Sequence, residues 1–588
     1  MASRTMGVKR RGSGSLALAL GLFLTTACAE PDGEEPARDT RAAERPNIVI
    51  IMADDMGYSD VGSYGSEIRT PNLDELAANG LRYHNFYNQA RCMPTRAALL
   101  TGRYPHQTGL GEMQSDRGLP GYRGNINHTS VTLAEALEGS GYRSYLAGKW
   151  HVTGHDAPDE PEEDRYNWPL QRGFDRFYGT ITGSGSFFGP HTLTRGNENI
   201  DEGRTFPGVP WAPPPDAPVP VKDDGDFYYT DAINETGAGF IREHQQEHPD
   251  APFFLYVAQV APHWPLHAYE EDYAPYLDAY REGWDEVRRA RHERMIELGV
   301  VDPQWPLPDR PDALPAWADL TMADLPDEVR SAVEALDLDI REEMALRMAI
   351  HAAMVERMDR GIGEIIDALR ETGRFENTLI LFLSDNGAAA EWGTYGFGWP
   401  RMEQMEVRTG EPQSYASIGV AWAHVSNAPF RLWKTFNHEG GAATPFIAHW
   451  PAGIEARGEW REQIGHIIDV MPTVLEVTGA VYPEEHAGHQ IEPYEGVSLL
   501  PSFRGEALER DDYLYFEHLG RRAVRDERWK LVTTEAGADG RWELYDMEND
   551  RMETRDLAAE YPERVREMAE RWQQWAERAN VLPMLPDQ

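Results

Sequence analysis

The sequence predicts an α/β fold with a large, mixed but mostly parallel sheet flanked by helices, and a smaller antiparallel-sheet subdomain near the C-terminus. Two apolar, β-rich runs, NIVIIMADDMG (47–57) and NTLILFLSDNG (377–387), stop abruptly at acidic or amide side chains, which is typical of buried strands in a parallel sheet. A long helical pattern over 344–373 leads directly into the second run. This order of strand, helix and strand indicates an α/β core.

The remaining elements follow from local patterns. Stretches 70–80 and 130–141 begin with a capping residue and end at glycine, which predicts two short helices between the strands. The Pro-rich stretches 206–220 and 300–317 predict irregular surface segments. Beyond about residue 505, short alternating strands with polar turns precede an amphipathic helical pattern at 562–579, which predicts the C-terminal subdomain with its covering helix.

The N-terminus predicts export. Basic residues at 9–11 precede an apolar run at 15–28 that is too short to span a bilayer as a stable helix but is typical of a secretory signal. The sequence LTTAC at 24–28 resembles a bacterial lipobox, in which Cys28 becomes lipidated; ordinary signal cleavage is the alternative. We therefore expect an exported bacterial protein, either periplasmic or a lipoprotein of the outer membrane or cell surface.

These patterns divide the chain into four parts. We expect a signal peptide at 1–27, a flexible tether at 28–45, a main α/β domain at 46–504 and the C-terminal α+β subdomain at 505–588. The tether has no apolar periodicity, and the 588-residue chain is long enough for more than one structural unit.

Composition excludes some kinds of partner. Hydrophobic residues make up 41% of the chain and charged residues 26%, as in a folded, soluble protein. The formal net charge of −42 repels nucleic acid and anionic lipid, so we expect no nucleic-acid partner.

Four oxygen-bearing side chains follow the two predicted strands and suggest a cation site. Asp54 and Asp55 follow the first strand, and Asp385 and Asn386 follow the second. Ligands of open α/β sheets gather at the carboxyl ends of strands, and hard oxygen atoms suit Ca²⁺ or Mg²⁺. The alternative is that the acidic pair only caps the next helix.

Cys92 is one of two cysteines in the chain and precedes a predicted helix. Pro94 favours the first helical turn, where free N–H groups attract anions, and Arg96 adds a bidentate donor for an oxyanion. The residues alone allow either a cysteine nucleophile of low pKa or a small buried thiol. The predicted cation site disfavours a thiolate hydrolase, which needs a nearby histidine and no divalent cation.

Several segments carry a family resemblance. CMPTR at 92–96, followed by AALLTGRYPHQTG, resembles the sulfatase signature C-x-P-S/T-R, in which the cysteine is converted to formylglycine. GYRSYLAGKWH (141–151), LSDNG (383–387) and NAPFRLWKTFNHEGG (427–441) resemble further sulfatase segments in family order. The chain is similar to the bacterial arylsulfatase-like branch of the formylglycine-dependent sulfatases, which implies an alkaline-phosphatase-like fold.

This resemblance implies a mechanism and its cofactors. Formylglycine-generating enzyme would convert Cys92 to formylglycine (3-oxoalanine), whose hydrate is a geminal diol. One hydroxyl would attack sulfur while Ca²⁺, rather than Mg²⁺, polarises a sulfate oxygen, giving a covalent sulfo-enzyme intermediate. The second hydroxyl would then expel inorganic sulfate. The substrate would be an aryl or carbohydrate sulfate ester.

The resemblance also assigns roles to single residues. Asp54, Asp55, Asp385 and Asn386 would hold the metal, and Arg96 would steady the nucleophile. Lys149 and Lys434 would neutralise the sulfuryl oxygens, and His151 would accept the proton that collapses the intermediate. His263 would hydrogen-bond sulfate or protonate the leaving oxygen alongside Lys434.

Two other functions are compatible with the motifs. One is a formylglycine-dependent phosphodiesterase or phosphonate monoester hydrolase, and the other is a non-catalytic surface protein that binds sulfated glycans.

Further histidines near the motifs are expected to be structural; these are His106, His267, His438 and His449. Nearby aromatic residues either stack on a substrate ring or pack against other side chains; these are Trp150, Trp264, Phe187 and Phe188.

Overall fold

A mixed sheet, ten-stranded within the described residues, forms the centre of the protein. The computed structural model describes residues 45–155, 160–183, 185–200, 227–537 and 539–585. The predicted signal peptide, Cys28, the tether up to residue 44 and the Pro-rich stretch 206–220 lie outside these residues. Across the described ranges, no helix combines the length and apolar character needed to cross a bilayer.

The described strands, in chain order, are β1 (Asn47–Ala53), β2 (Leu81–Tyr83), β3 (Phe86–Tyr87), β4 (Arg143–Gly148), β5 (Arg176–Thr180), β6 (Leu193–Arg195), β7 (Glu198–Asn199), β8 (Phe253–Ala258), β9 (Thr378–Ser384), β10 (Phe446–His449), β11 (Glu459–Arg461), β12 (Gly465–His466), β13 (Glu485–His486), β14 (His489–Gln490), β15 (Leu514–His518), β16 (Arg521–Arg525), β17 (Trp529–Thr533) and β18 (Trp542–Asp546).

The central sheet has the strand order β11-β2-β10-β9-β1-β8-β4-β5-β6-β7. Its five middle strands, from β9 to β5, run parallel; Ile51 of β1 pairs with Phe382 of β9 and with Val257 of β8. β10 pairs antiparallel with β9, and β6 pairs antiparallel with β5, so the sheet is mixed towards its edges. The predicted parallel core is therefore confirmed.

The described α-helices, in chain order, are α1 (Pro71–Ala78), α2 (Cys92–Thr101), α3 (Pro105–Thr108), α4 (Leu133–Glu138), α5 (Tyr229–Glu247), α6 (Glu270–Tyr273), α7 (Leu277–Arg281), α8 (Trp284–Glu297), α9 (Asp327–Ala335), α10 (Ile340–Glu371), α11 (Trp399–Met405), α12 (Gly419–Ser426), α13 (Glu439–Ala442), α14 (Val470–Thr478), α15 (Leu500–Phe503) and α16 (Pro562–Arg578).

Hydrophobic cores lie on both faces of the sheet, which explains why its central strands are continuously apolar. Successive side chains of a strand point to opposite faces. Accordingly, Ile51 of β1 belongs to the core shared with α5 and α10, whereas Ile50 belongs to the core shared with α2, α4 and α14. The predicted short helices are α1 and α4, and α10 begins at Ile340, a few residues before the predicted start.

The C-terminal part forms the predicted antiparallel sheet, in the order β15-β16-β17-β18. Helix α16 covers it: Trp572 is buried, and its Nε1 donates a hydrogen bond to the Phe516 carbonyl at 3.0 Å. Of the predicted irregular stretch 300–317, residues 300–316 contain neither helix nor strand, and only its last residue begins a short 3-10 turn, Trp317–Asp319.

A buried ion cluster fastens this sheet to the rest of the fold. Glu439 in α13 lies 2.7 Å from the Lys530 ammonium of β17 and 3.0 Å from Nε of Arg551, and the Tyr87 hydroxyl donates to it at 2.9 Å. Burial alone would raise the pKa of Glu439, but the two cations hold it at about 2. Glu439 is therefore ionised at neutral pH and compensates two buried cations.

We expect Glu439→Gln to lower the free energy of unfolding by about 3–5 kcal/mol, because it leaves Lys530 and Arg551 with too little compensating charge. The measurement is the free energy from chemical denaturation. The matched control is Glu563→Gln, which breaks a solvent-exposed pair with Arg566 and should cost less than about 1 kcal/mol. Equal losses in both variants would contradict a fastening role for the cluster.

Candidate active site

Four neighbouring parallel strands, β9, β1, β8 and β4, bring chemically active side chains to one edge of the sheet. Asp385 follows β9, Asp54 follows β1, and Lys149 follows β4; His263 lies five residues beyond the end of β8. Because parallel strands share the position of their carboxyl ends, segments far apart in sequence meet there.

The four predicted metal ligands lie together and are buried. The Asp55 amide donates to Asp385 Oδ1 at 3.3 Å, and Asn386 Nδ2 donates to Asp55 Oδ1 at 2.7 Å. Burial and the neighbouring Asp54 carboxylate raise the pKa of Asp385 to about 7. Asp54 Oδ1 and Asn386 Oδ1 are buried without a hydrogen-bond partner. Unpartnered hard oxygens among crowded carboxyls fit a divalent cation such as Ca²⁺ or Mg²⁺.

His263 lies next to these side chains and offers a further metal-ligand atom, which the sequence did not predict. Asp54, Asp55 and His263 each offer a ligand atom within 4.8 Å of the others, and His263 Nε2 lies 3.5 Å from Asp55 Oδ2. Its Nδ1 is 2.6 Å from the Trp264 carbonyl, which assigns the proton to Nδ1 and directs the Nε2 lone pair into the site. Burial lowers the pKa of His263 to about 3, so the ring is neutral at pH 7.

Buried cations pair with the carboxylates. Lys149 Nζ lies 2.5 Å from Asp54 Oδ2, and Lys434 Nζ lies 2.7 Å from Asp55 Oδ1. Although burial opposes it, Asp55 raises the pKa of Lys434, so its ammonium stays protonated. Two fixed ammonium groups therefore lie beside the predicted metal ligands.

Arg96 contacts the metal-ligand group directly. Its Nη2 lies 2.8 Å from Asp385 Oδ2, its Nε donates to the same oxygen at 3.0 Å, and its Nη1 donates to the Lys149 carbonyl at 3.3 Å. The guanidinium thus joins α2 to the ends of β9 and β4. It holds Asp385 in place. It also brings a positive charge to the first turn of α2, the helix that begins at Cys92.

Cys92 is the first residue of α2, as predicted, and only 2% of its surface is exposed. Burial raises the pKa of its thiol, even though the Lys149 and Lys434 charges oppose that shift. A catalytic thiolate needs the opposite shift. Burial therefore disfavours Cys92 as a thiolate nucleophile, while the nearby Lys149 and Lys434 charges suit an anionic sulfuryl group.

His151 lies at the end of the segment that carries Lys149. It is 4% exposed, its Nδ1 has no hydrogen-bond partner, and burial followed by the Lys149 charge lowers its pKa well below the ordinary value. A neutral imidazole with a free ring nitrogen is able to accept a proton.

Several segments of the site have strained backbone conformations, as do other parts of the described chain. Asp55, Ala90, His151 and Thr435 all have positive φ, between 48° and 78°. Such conformations are costly for residues other than glycine and persist only where the surrounding contacts impose them. Gly148 has φ of 115°, and a Cβ there would lie 1.9 Å from the Ala258 carbonyl, so glycine is required for the turn into Lys149.

Glu391 is a site residue that sequence reasoning missed. Its carboxylate lies 2.6 Å from Nη1 of Arg91, accepts a hydrogen bond from Trp264 Nε1 at 2.7 Å, and lies 3.6 Å from Lys434 Nζ. Although burial opposes it, Lys434 and Arg91 lower its pKa. The only sequence signal is a single acidic residue six positions after Asp385, which no motif distinguishes.

The remaining histidines and aromatic residues near the motifs lie in packed environments. His106 Nε2 is 2.6 Å from Glu517, and the ring nitrogens of His267 contact the Phe187 amide and the Ser414 carbonyl. Trp264 alone among the four aromatic residues contacts a site carboxylate, that of Glu391. The other seven residues pack or form contacts elsewhere, and all of them are buried: Trp150, Phe187, Phe188, His106, His267, His438 and His449.

Comparison with known proteins agrees with this architecture. The sequence model of the sulfatase family matches residues 46–480, and that of the C-terminal region of N-sulphoglucosamine sulphohydrolase matches 431–578. An uncharacterised sulfatase of Schizosaccharomyces pombe is 31% identical, over 90% of this chain and 93% of its own length. An arylsulfatase of Klebsiella aerogenes is 32% identical, over 78% of this chain and 91% of its own length.

Solved structures share the fold. A structure of Ps i-CgsB in complex with k-i-k-neocarrahexaose is 24% identical, has a TM-score of 0.60, and covers 92% of this chain and 95% of its own. Another, solved with its substrate D-glucosamine-2-N,6-O-disulfate, is 20% identical with a TM-score of 0.58, over 92% and 99% of the two chains. Since one family model spans residues 46–480 and relatives of the same family are 31% and 32% identical over most of the chain, this chain belongs to the sulfatase family of the alkaline phosphatase superfamily and is a sulfuric ester hydrolase.

Proposed function

We propose that the protein hydrolyses sulfate monoesters of aryl or carbohydrate alcohols, using formylglycine made from Cys92 and a bound Ca²⁺. The observation that carries this proposal is the arrangement at the sheet edge. A buried Cys92 begins a helix beside two ammonium groups and an oxygen ligand set in which Asp54 Oδ1 and Asn386 Oδ1 have no partner. That combination suits a transferring anion and a hard cation.

Asp54, Asp55, Asp385 and Asn386 would hold the cation, and the Nε2 lone pair of His263 faces the same space. Bound Ca²⁺ would supply Lewis-acid polarisation of a sulfate oxygen. Arg96 keeps Asp385 in position for this role through two hydrogen bonds from its guanidinium. We favour Ca²⁺ over Mg²⁺ because a buried set of many oxygen ligands leaves little room for the waters that Mg²⁺ retains.

The modified Cys92 would be made by formylglycine-generating enzyme, and its hydrated aldehyde would supply both the attacking hydroxyl and the one that releases sulfate. Lys149 and Lys434 would neutralise the sulfuryl oxygens. His151, kept neutral by burial, accepts the proton whose loss releases sulfate.

The proton for the leaving alcohol comes from Lys434 in this proposal. His263 is neutral and carries its proton on Nδ1, bound to the Trp264 carbonyl, so its Nε2 has none to give. The Lys434 ammonium is protonated and, like His263 Nε2, lies next to the Asp55 carboxylate. His263 then orients the ester or the cation rather than acting as the acid.

Export through the predicted signal peptide, with lipid attachment at Cys28, would place this activity outside the cytoplasm of a bacterium. There the enzyme would meet sulfated polysaccharides or aryl sulfates as small-molecule or carbohydrate esters. Mass spectrometry of the mature N-terminus tests both points, because a lipidated Cys28 and an ordinary cleaved terminus give different peptides.

We expect protein from a host with the modifying enzyme to release inorganic sulfate from 4-nitrophenyl sulfate and from a sugar sulfate, and the Cys92 peptide to have lost its sulfur. Cys92→Ala should lower turnover about 10⁴-fold or more, because it removes the nucleophile. Thr101→Ala, in the last turn of the same helix, should retain activity, since the Thr101 hydroxyl donates to the Ala97 carbonyl and accepts from the Arg103 amide, and neither group belongs to the site.

A phosphodiester and a phosphonate monoester serve as competing substrates in the same assay. Faster hydrolysis of either would favour the formylglycine-dependent phosphodiesterase alternative. An unmodified thiol in active protein would contradict the proposed nucleophile.

We expect Ca²⁺ to raise the thermal unfolding midpoint of the protein, and to do so more than Mg²⁺. At 100 times the dissociation constant the stabilisation is about 2.7 kcal/mol, because the ion binds only the folded ligand set. Asp54→Asn should abolish the Ca²⁺-dependent shift, as judged by scanning fluorimetry of chelated and Ca²⁺-loaded samples.

Asp359→Asn is the matched control for that titration. Asp359 is also buried, but it accepts hydrogen bonds from the amides of Asn72 and Leu73 in α1 and lies outside the ligand group. This variant should keep the Ca²⁺-dependent shift whatever its own stability. Loss of the shift in both variants, or its persistence in Asp54→Asn, would refute the assigned ligand set.

A further inference from the structure

An exposed tryptophan lies next to the catalytic cluster. Trp392 exposes 49% of its surface, and its ring centroid is 5.9 Å from that of Trp264 and 5.1 Å from that of Phe397. Trp264 in turn follows His263, whose ring centroid is 4.4 Å from its own and whose Nε2 faces Asp55. Two buried rings, those of Trp264 and His263, therefore connect the Trp392 side chain to the predicted metal ligand Asp55.

Contacts of the preceding residue hold this tryptophan in place. The Glu391 carboxylate is bound by Arg91, the residue before Cys92, and by Trp264 Nε1. The Glu391 carbonyl accepts a hydrogen bond from the Ser417 hydroxyl. With both its side chain and its backbone bonded, Glu391 fixes the position from which Trp392 projects.

We propose that Trp392, with Phe397 and Trp264 behind it, forms a ring platform that binds the alcohol half of the substrate through a flat, apolar ring face. This inference rests on the proposed sulfatase function. Its ligand is an aromatic ring or the hydrogen-bearing face of a pyranose, since both offer such a face to an indole.

The burial of the catalytic groups indicates that the alcohol half of the ester, rather than the sulfate, contacts Trp392. Cys92, Lys149, His151 and Lys434 are each at most 4% exposed, so the sulfate group must enter inwards and the alcohol must remain on the solvent side. Trp392 is the large hydrophobic side chain on that side with close to half of its surface available. A linear alkyl chain has no flat face, so contact with the Trp392 ring would add little to its binding.

The test compares the specificity of Trp392→Ala, Trp392→Phe and the control Tyr561→Ala. Tyr561 is similarly exposed, at 45%, and contacts the Trp529 ring at 5.1 Å, but it belongs to the C-terminal subdomain and touches no site residue. Sulfate release is measured with 4-nitrophenyl sulfate, a monosaccharide 6-sulfate and a linear alkyl sulfate.

We expect Trp392→Ala to lower kcat/KM for a ring ester roughly three- to tenfold, through KM, as loss of one aromatic contact implies. The alkyl sulfate should change less than about twofold, because it makes no stacking contact. Trp392→Phe should restore most of the ring ester's KM, and Tyr561→Ala should match the unsubstituted protein. A loss confined to the aryl or to the sugar ester supports the platform and identifies its ring.

An equal loss with all three esters, or no loss with any ring ester, would overturn the ring platform while leaving the sulfatase function intact. Absence of sulfate release from every ester by unsubstituted protein that contains formylglycine is a different result. It would overturn the proposed function, and the ring platform with it.

Discussion

The structure depends on one electrostatic requirement, which is that charges buried at the carboxyl edge of the central sheet must compensate each other. Asp54, Asp55, Asp385 and Glu391 face Arg91, Arg96, Lys149 and Lys434 there, with little access to water. An unpaired charge in such surroundings costs several kcal/mol, so each carboxylate is held by a cation. The pairs in turn fix where α2, the strand ends and the loop around Lys434 lie relative to each other.

The same requirement explains why the backbone around the site is strained. Asp55, His151 and Thr435 have positive φ, and Gly148 allows a turn that no Cβ would fit. Each of these residues is at, or next to, a position that supplies a charged or titratable side chain. The energy of the strained conformations is offset by the ion pairs and by the two cores packed on the sheet.

Much of this arrangement was predictable from sequence because it is encoded locally. An apolar strand followed by Asp54 and Asp55, and a helix beginning at Cys92 with Pro94 in its first turn, are continuous patterns, and the shared edge of parallel strands places them together. Glu391 was not predictable, because its partners Arg91, Trp264 and Lys434 come from three distant segments. The proximity of His263 to Asp55 was not predictable either, because that distance depends on the loop beyond β8.

Local charge also reconciles a strongly acidic protein with an anionic substrate. The net charge of −42 would repel a sulfate ester at long range, but at about 10 Å and beyond such repulsion is screened by salt of 0.1 M. Inside the site, the four carboxylates and four basic side chains balance each other. The proposed divalent cation, held by Asp54 and its neighbours, would leave a surplus of positive charge for the sulfuryl group within a water-poor enclosure. Attraction for the substrate would then depend on that cation rather than on the surface of the protein.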